Sequence, residues 1–403
     1  MTMKNKNILI SGASIAGPAL AYWLCRYGFR PTIVERTPTL RKGGYKVDIR
    51  GIAVEVVERM GILADIQQAS TNIKGGTFVN NDNKPIATMP ADFFNSREGR
   101  DDEIMREDLS RILYDRTRSS VEYIFGDSIT SITQGAEDVT VTFEQGEPRT
   151  FDLVIGADGL HSNVRKLAFG DESRFIRHLD AYVSIFTTPN FLHLDHWEVY
   201  HYAPGKFVSL YSARERSRAM SFFFFTSPPL DYDYRDSEQQ RKLLATLFSG
   251  DKWQQIPSLL KAVWDAPDFY FDSVSQIQMD RWSVGRTVLL GDAAYCPSPA
   301  SGQGTSLALV GAYVLAGELA EASGDYATAF ARYESTIRGY VAANQKLAGS
   351  VKDFVPQTWT QLWFRTQALR VLPYLPWKSL VAGKMMRDVQ QAANAITLKS
   401  YED

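Results

Sequence analysis

Cysteine is nearly absent from this sequence of 403 residues: Cys25 and Cys296 are the only two. That excludes a disulfide scaffold, and neither has the spacing of a metal ligand set. Histidine is scarce as well. The five, His161, His178, His193, His196 and His201, form no HExxH pattern, which argues against a histidine-based metal centre. Neither sign of charge is in excess, with 44 Lys and Arg against 46 Asp and Glu. The net charge of -2 leaves no footprint for nucleic acid and no basic stripe for an anionic membrane. Hydrophobic runs are short, and the longest, Leu307–Gly317, is cut by Glu318 before it could span a bilayer. Met1–Asn7 is basic but leads into a strand and a glycine turn, unlike a secretory signal, so a reduced, cytoplasmic protein is expected. No internal repeat or low-complexity tract stands out.

What is present has the texture of an α/β protein, and at about 150 residues per domain the length suggests two or three domains. Asn7–Ser11 reads as a buried strand running into Gly12, Pro18–Gly28 as a helix, and Pro31–Glu35 as a second strand, together a βαβ unit. The pattern predicts a helix near Ala53–Met60, a hairpin within Lys74–Asp92, a helix over Glu107–Thr117, and strands over Val121–Ile132, Val139–Phe143 and Phe151–Asp158. From about Phe175 to Gln278 aromatic, strand-like runs take over: Tyr182–Thr187, Trp197–Tyr202, Lys206–Tyr211 and Ala219–Thr226. They predict an inserted antiparallel sheet. The βα style returns at Arg286–Asp292, and helices are expected over Gln303–Ala322, Tyr326–Lys346, Phe354–Leu369 and Lys378–Ile396. The expected fold is therefore α/β, with a Rossmann-like domain over 1–72, 101–174 and 278–345. A substrate domain occupies 73–100 and 175–277, and C-terminal helices fill 346–403.

Three segments carry chemistry. In the first, Gly12 permits a tight turn, Ser14 and Ala16 are small enough to keep backbone near a phosphate, and Gly17 lets helix pack on strand. The helix N-terminus then offers amide groups and a positive dipole end to a pyrophosphate. Glu35, 23 residues after Gly12 at the end of the second strand, stands where an acid accepts ribose hydroxyls, as in FAD or NAD. In the second segment, Asp158-Gly159 ends a buried strand. In the third, Gly291-Asp292 ends another and leads through Pro299, Gly302 and Gly304 into a helix. Asp292 could hold ribityl hydroxyls, and the Gly302–Gly304 turn could bring amides to a flavin ring and its negative charge when reduced.

In this order the three segments resemble the single-component (class A) flavin-dependent aromatic hydroxylases, over roughly residues 7 to 340. The resemblance implies non-covalent FAD, with Arg36 and Arg106 also touching it. It further implies NADPH as a transient electron donor, served in part by Asp158-Gly159, and transfer of oxygen from a flavin C4a-hydroperoxide to an electron-rich ring or enolate carbon. The partners implied are O2 and an aromatic or polycyclic small molecule, and no side chain is implied as a catalytic residue because the flavin carries the chemistry. A monomer is expected. The chain departs from the family's habit at Tyr295, often His, at Ser306, often Asn, and at Gly311, commonly an acid. Within the family, Arg41–Gly51, Tyr182–Asn190 and Gly291–Leu319 look most like enzymes that inactivate tetracyclines.

Other readings compete. Hydroxylation of another aromatic polyketide or phenol uses the same machinery. A halogenase is disfavoured because Trp253–Pro257 lacks the Trp-x-Trp-x-Ile-Pro pattern. A flavin reductase acting on prenyl chains, or a flavoprotein with no catalysis, would leave O2 consumption or product missing. A plain NAD dehydrogenase does not explain the second and third segments. For substrate, Met220, Phe222 and Phe224 alternate on one strand face and could line an apolar pocket. His193, His196 and His201 read as hydrogen-bonding residues and Cys296 as a small filler. Trp359, Leu362, Trp363 and Leu369 predict a helix bridging the domains. Beyond Pro373 and Pro376, Leu380, Val381, Met385, Val389 and Ile396 predict a second helix covering the substrate entrance, with Met385 and Met386 as flexible cover.

Overall fold

Ile8, Leu9 and Ile10 are fully buried, as a strand covered on both faces requires. In the computed structural model, which describes residues 3–41, 43–91, 99–213, 216–349, 351–372 and 387–401, they form the strand Asn7–Ser11 at the heart of a six-stranded sheet. The spatial order is Ser283–Val284, Thr287–Leu289, Leu153–Gly156, Asn7–Ser11, Arg30–Glu35, Glu122–Phe125. All neighbours are parallel except the first pair. Helix Ala16–Arg26 makes the crossover and packs on Gly304–Glu321, buried from Thr305 to Leu319, with Trp23 set edge-on to Tyr313 at 4.9 Å.

The run Val121–Ile132 is two strands, Glu122–Phe125 and Ile129–Gln134, in different sheets. Gly126 turns the chain with φ +74°, and the Asp127 carboxylate fixes the turn by accepting the amides of Ser128, Glu144, Gln145 and Gly146. The second large sheet, called the substrate-side sheet below after the domain expected from the sequence, has seven strands, ordered Tyr270–Ile277, Ile176–Pro189, Arg218–Thr226, Lys206–Ser212, Trp197–Ala203, Gly75–Val79, Pro85–Pro90. Every pair is antiparallel except Trp197–Ala203 with Gly75–Val79. One face is covered by helices Ser237–Phe248 and Ile256–Ala262 and their connection, through Leu244, Phe248, Leu259 and, from the connection, Trp253, against Phe186, Phe223 and Phe225. The strand-like pattern of this region does not reveal these two helices. The overlooked signal is Asp236, whose side chain accepts the amides of Glu238 and Gln239 as an N-cap.

At the C-terminus, helix Trp359–Val371 starts with a capping box at Thr358 and Gln361. The expected four-residue face divides. Leu369 packs with Leu372 near Phe78 and Met89, whereas Trp359 and Trp363 are 66% and 57% exposed. Its main neighbours among the described residues are Pro85–Pro90 and Trp197–Ala203, both in the seven-stranded sheet. Pro373, Pro376, Leu380, Val381, Met385 and Met386 lie outside the described residues. The segment from 387 packs on helices Tyr326–Lys346 and Gly304–Glu321: Asn344 Nδ2 donates to the Ala392 carbonyl at 3.0 Å, and Tyr401 donates to Glu318 at 2.8 Å. Ile396 packs there on the main core, and Val389 lines the large cavity. Among the described residues no helix is long and apolar enough to cross a membrane.

Candidate active site

The first strand stops at Gly12, with φ +109°, and a Cβ there would sit 2.4 Å from the Ala157 carbonyl oxygen. Only glycine turns here. A Cβ on Gly17 would lie 2.0 Å from the Gly12 carbonyl oxygen, so Gly17 lies packed under the turn and off the cavity wall. Gly12, Ser14 and Ala16 do line the cavity. No side chain caps helix Ala16–Arg26 at Ile15, which leaves its first amides facing that space. Glu35 braces the turn: Oε2 accepts the Ala13 amide at 2.9 Å, and Oε1 accepts the Thr37 amide and hydroxyl, each at 3.0 Å. Glu35 and Arg36 stand side by side on the cavity wall.

Asp158 lies at the end of Leu153–Gly156. Its carboxylate accepts the Ser162 hydroxyl, the Val164 amide at 3.0 Å and the Ser11 hydroxyl at 3.3 Å. It thus caps helix Asn163–Phe169 and ties it to the first strand. Burial pushes its pKa up, opposed by these bonds and by Arg165. Gly159 follows with φ +83°. His161, two residues on, is held on both ring nitrogens, by Glu172 at 2.8 Å and by Asp272 of the substrate-side sheet at 3.1 Å. Burial disfavours its charge, but the two carboxylates outweigh that and push its pKa up to about 9.

Asp292 projects into the same cavity, its pKa raised by burial and held back by Cys296 and Arg106. Arg106 lines the wall, and its amide donates to the Tyr45 carbonyl at 3.0 Å. Ser298 is a non-glycine residue at φ +84°, a strained start for the turn Pro299–Ser301. Gly302, at φ +65°, then leads to Gln303, where helix Gly304–Glu321 begins without a side-chain cap. Pro299, Gly302 and Gly304 line the cavity. Gln303 is fully buried, and neither of its amide atoms has a partner among the described residues.

The opposite wall is the free face of the seven-stranded sheet. Phe222 pairs in register with Ile185 and Ser209, and Phe224 with Val183 and Phe207, and all six line the cavity. Met220, next in the alternation, does not. It packs in a cluster with Ile73, Ile185, Tyr211 and Ala213, of which Ile185 and Tyr211 line the cavity. His201 is a core residue, stacked on Trp253 at 5.0 Å, its pKa lowered by burial to about 4. His193 and His196 occupy positive-φ turns. Cys296 is 4% exposed, with its thiol pKa pushed well up by burial. No group of His, Cys, Asp and Glu among the described residues could hold a metal ion.

Several wall residues escaped the sequence reading. Arg41 lies 5.0 Å over the Tyr270 ring, its pKa lowered by burial and by Arg106. Lys46 and Asp48 line the cavity from the strand Lys46–Ile49, Val47 lines it while also packing in the main core, and Ile49 is buried in that core. That period-2 alternation of charge and aliphatic was the available signal.

A family described as "FAD binding domain" matches residues 5–344. The chain belongs to this FAD-binding monooxygenase family. A flavin-dependent monooxygenase of Legionella longbeachae is 43% identical over 350 residues, covering 87% of this chain and 90% of that one. An uncharacterised protein of Mycobacterium tuberculosis is 48% identical over 356 residues, covering 87% and 94%. The crystal structure of tetracycline destructase Tet(51) superposes with TM-score 0.86 at 37% identity, each chain covered in full.

The residues present fit FAD. Gly12, Ser14, Ala16, Glu35, Asp292, Gly302 and Gly304 border one cavity, and the two helices that start beside it, at Ala16 and Gly304, carry no side-chain cap. Two departures from the family's habit explain each other. A Cβ on Gly311 would lie 2.1 Å from the Tyr295 hydroxyl, which pairs with the Tyr333 hydroxyl at 3.0 Å, so glycine makes room for the tyrosine. Ser306 accepts the Arg50 amide at 3.2 Å.

Proposed function

We propose that this monooxygenase takes electrons from NADPH and oxygenates a polycyclic, enolic or aromatic small molecule, with tetracycline as the leading substrate. One observation carries the reading. The cofactor-fitting turns and the apolar Phe222–Phe224 wall border one continuous cavity of about 2210 Å³. That is roughly twice the upper end, about 1,000 Å³, of ordinary small-ligand pockets, and so suits a dinucleotide with a second molecule beside it. The full-length likeness to tetracycline destructase Tet(51) supports the substrate class.

FAD, when bound, supplies hydride acceptance and O2 activation, which no side chain here provides. The protein's residues do the rest. The amides after Gly12 and the Glu35 carboxylate would hold pyrophosphate and ribose. Asp292 and Arg106 would hold the ribityl chain and neighbouring oxygens, and the amides at Gly302–Gly304 would place positive dipole against the ring. Phe222, Phe224, Val183 and Ile185 would seat the substrate and exclude water from the reacting centre. The test is direct. Adding tetracycline to the holoenzyme should accelerate NADPH oxidation and abolish tetracycline's own absorbance. An unchanged NADPH rate with intact tetracycline would reject this substrate.

A further inference from the structure

Helix Tyr326–Lys346 packs on Gly304–Glu321, and helix Trp359–Val371 packs on the seven-stranded sheet. The connection between them borders the cavity with Val351 and Phe354. Its valines are anchors: Val351 and Val355 are buried in a cluster with Ala181, Val183, Phe207 and Phe224 of that sheet. Hydrogen bonds fix the backbone around them. The Gly205 amide donates to the Pro356 carbonyl at 2.7 Å, the Thr226 hydroxyl to Gln357 Oε1 at 3.0 Å, and Arg365 Nη1 to the Phe354 carbonyl at 2.7 Å. Phe354, between the two anchors, is different. Its ring stands edge-on to Phe224 at 5.1 Å and to Phe207 at 5.7 Å, yet it is 47% exposed.

Phe224 and Phe207 also line the cavity, but they are only 3% and 6% exposed. Where these three rings meet, the apolar surface left uncovered therefore belongs mainly to Phe354. Covering it with a ligand gains the free energy of apolar burial. The ring is flanked by buried anchors and braced by two neighbours, so little freedom is lost when it is covered. We infer that Phe354 is a specificity-determining residue whose ring packs against an aromatic ring of the substrate. This rests on the polycyclic-substrate reading above and deepens it: the favoured substrate brings an aromatic ring, beyond mere apolar bulk, to the junction of the connection and the sheet. Aromatic pairs in edge-to-face or offset geometry gain more than their buried area alone supplies.

Tetracycline, whose frame includes an aromatic ring, is the probe, and its binding to the oxidised holoenzyme is read by flavin fluorescence without NADPH. Phe354→Ala should weaken it about tenfold, the scale of one lost aromatic contact, with FAD affinity and melting temperature near wild type. Phe354→Leu keeps apolar bulk and should lose about threefold or more, because the ring is gone. 4-Fluorophenylalanine in place of Phe354 alone adds a readout at the residue itself: its ¹⁹F resonance should shift as tetracycline saturates the site. An unmoved resonance, or wild-type affinity in either variant, overturns the inference and leaves the tetracycline reading standing. Weakened binding that comes with lost FAD or a lowered melting temperature in both variants assigns Phe354 to the fold and overturns it as well. If tetracycline does not bind wild type, the tetracycline reading falls and this inference with it.

Discussion

Raising the pH from about 6 to about 10 should unfasten the two sheets at His161. The imidazole belongs to the loop after Asp158-Gly159, and its partners are Glu172 and, across the boundary, Asp272. Tyr234 stacks on the ring at 4.2 Å, Tyr270 donates to Asp272 at 3.0 Å, and Arg165 donates to Glu172 at 2.6 Å, so every group facing the site favours the charged ring or is neutral to it, save the Arg165 cation. The folded pKa of about 9 stands above the ordinary 6.5. A raised pKa stabilises the fold fully below about pH 6.5, and that contribution is lost as pH rises through about 9. The difference amounts to about 3 kcal/mol at 1.36 kcal/mol per unit. Urea unfolding of wild type and His161→Gln at both pH values measures it. Lysines and tyrosines titrate in both proteins and cancel, so wild type should lose about 3 kcal/mol more than the variant. Parallel losses would refute the assignment of a charged, doubly held His161.

Asp292→Ala should weaken FAD binding roughly 10- to 150-fold, the loss of one charge-assisted hydrogen bond at ~1.5–3 kcal/mol, measured by titrating apoprotein with FAD. Glu35→Ala should weaken it as well and also loosen the Gly12 turn, seen as faster amide exchange at Ala13, whose amide it holds. Gly311→Ala should cost about 1–3 kcal/mol by overpacking against the Tyr295 hydroxyl, and Tyr295→Phe in the same chain should recover part of it; thermal melts of the cycle decide, and strict additivity would dismiss the contact.

Steric necessity made part of this molecule readable in advance. Gly12 and Gly17 stand where a Cβ would strike backbone, so their spacing announces the turn wherever it occurs. Buried parallel strands such as Asn7–Ser11 announce themselves by unbroken aliphatics. Alternation placed Phe222 and Phe224 on one face, but Met220, next in the same alternation, packs with Ile73, Tyr211 and Ala213 and does not line the cavity, a contact that alternation alone does not reveal. Helix Ser237–Phe248 was hidden by the aromatic strands around it, although Asp236 marks its start. The Lys46–Glu198 pair joins residues 152 positions apart, and His161–Asp272 residues 111 apart. Such partners follow from how two sheets meet, which no local pattern encodes.

On the proposed reading, one cavity holds FAD and a polycyclic substrate so that an atom of O2 reaches the substrate's carbon. Incubation of the holoenzyme with NADPH and tetracycline under ¹⁸O2, followed by mass spectrometry of the product, tests this. The expected product is tetracycline heavier by one ¹⁸O atom, formed in step with NADPH consumed. NADPH oxidation that yields only hydrogen peroxide and unaltered tetracycline would contradict the claim.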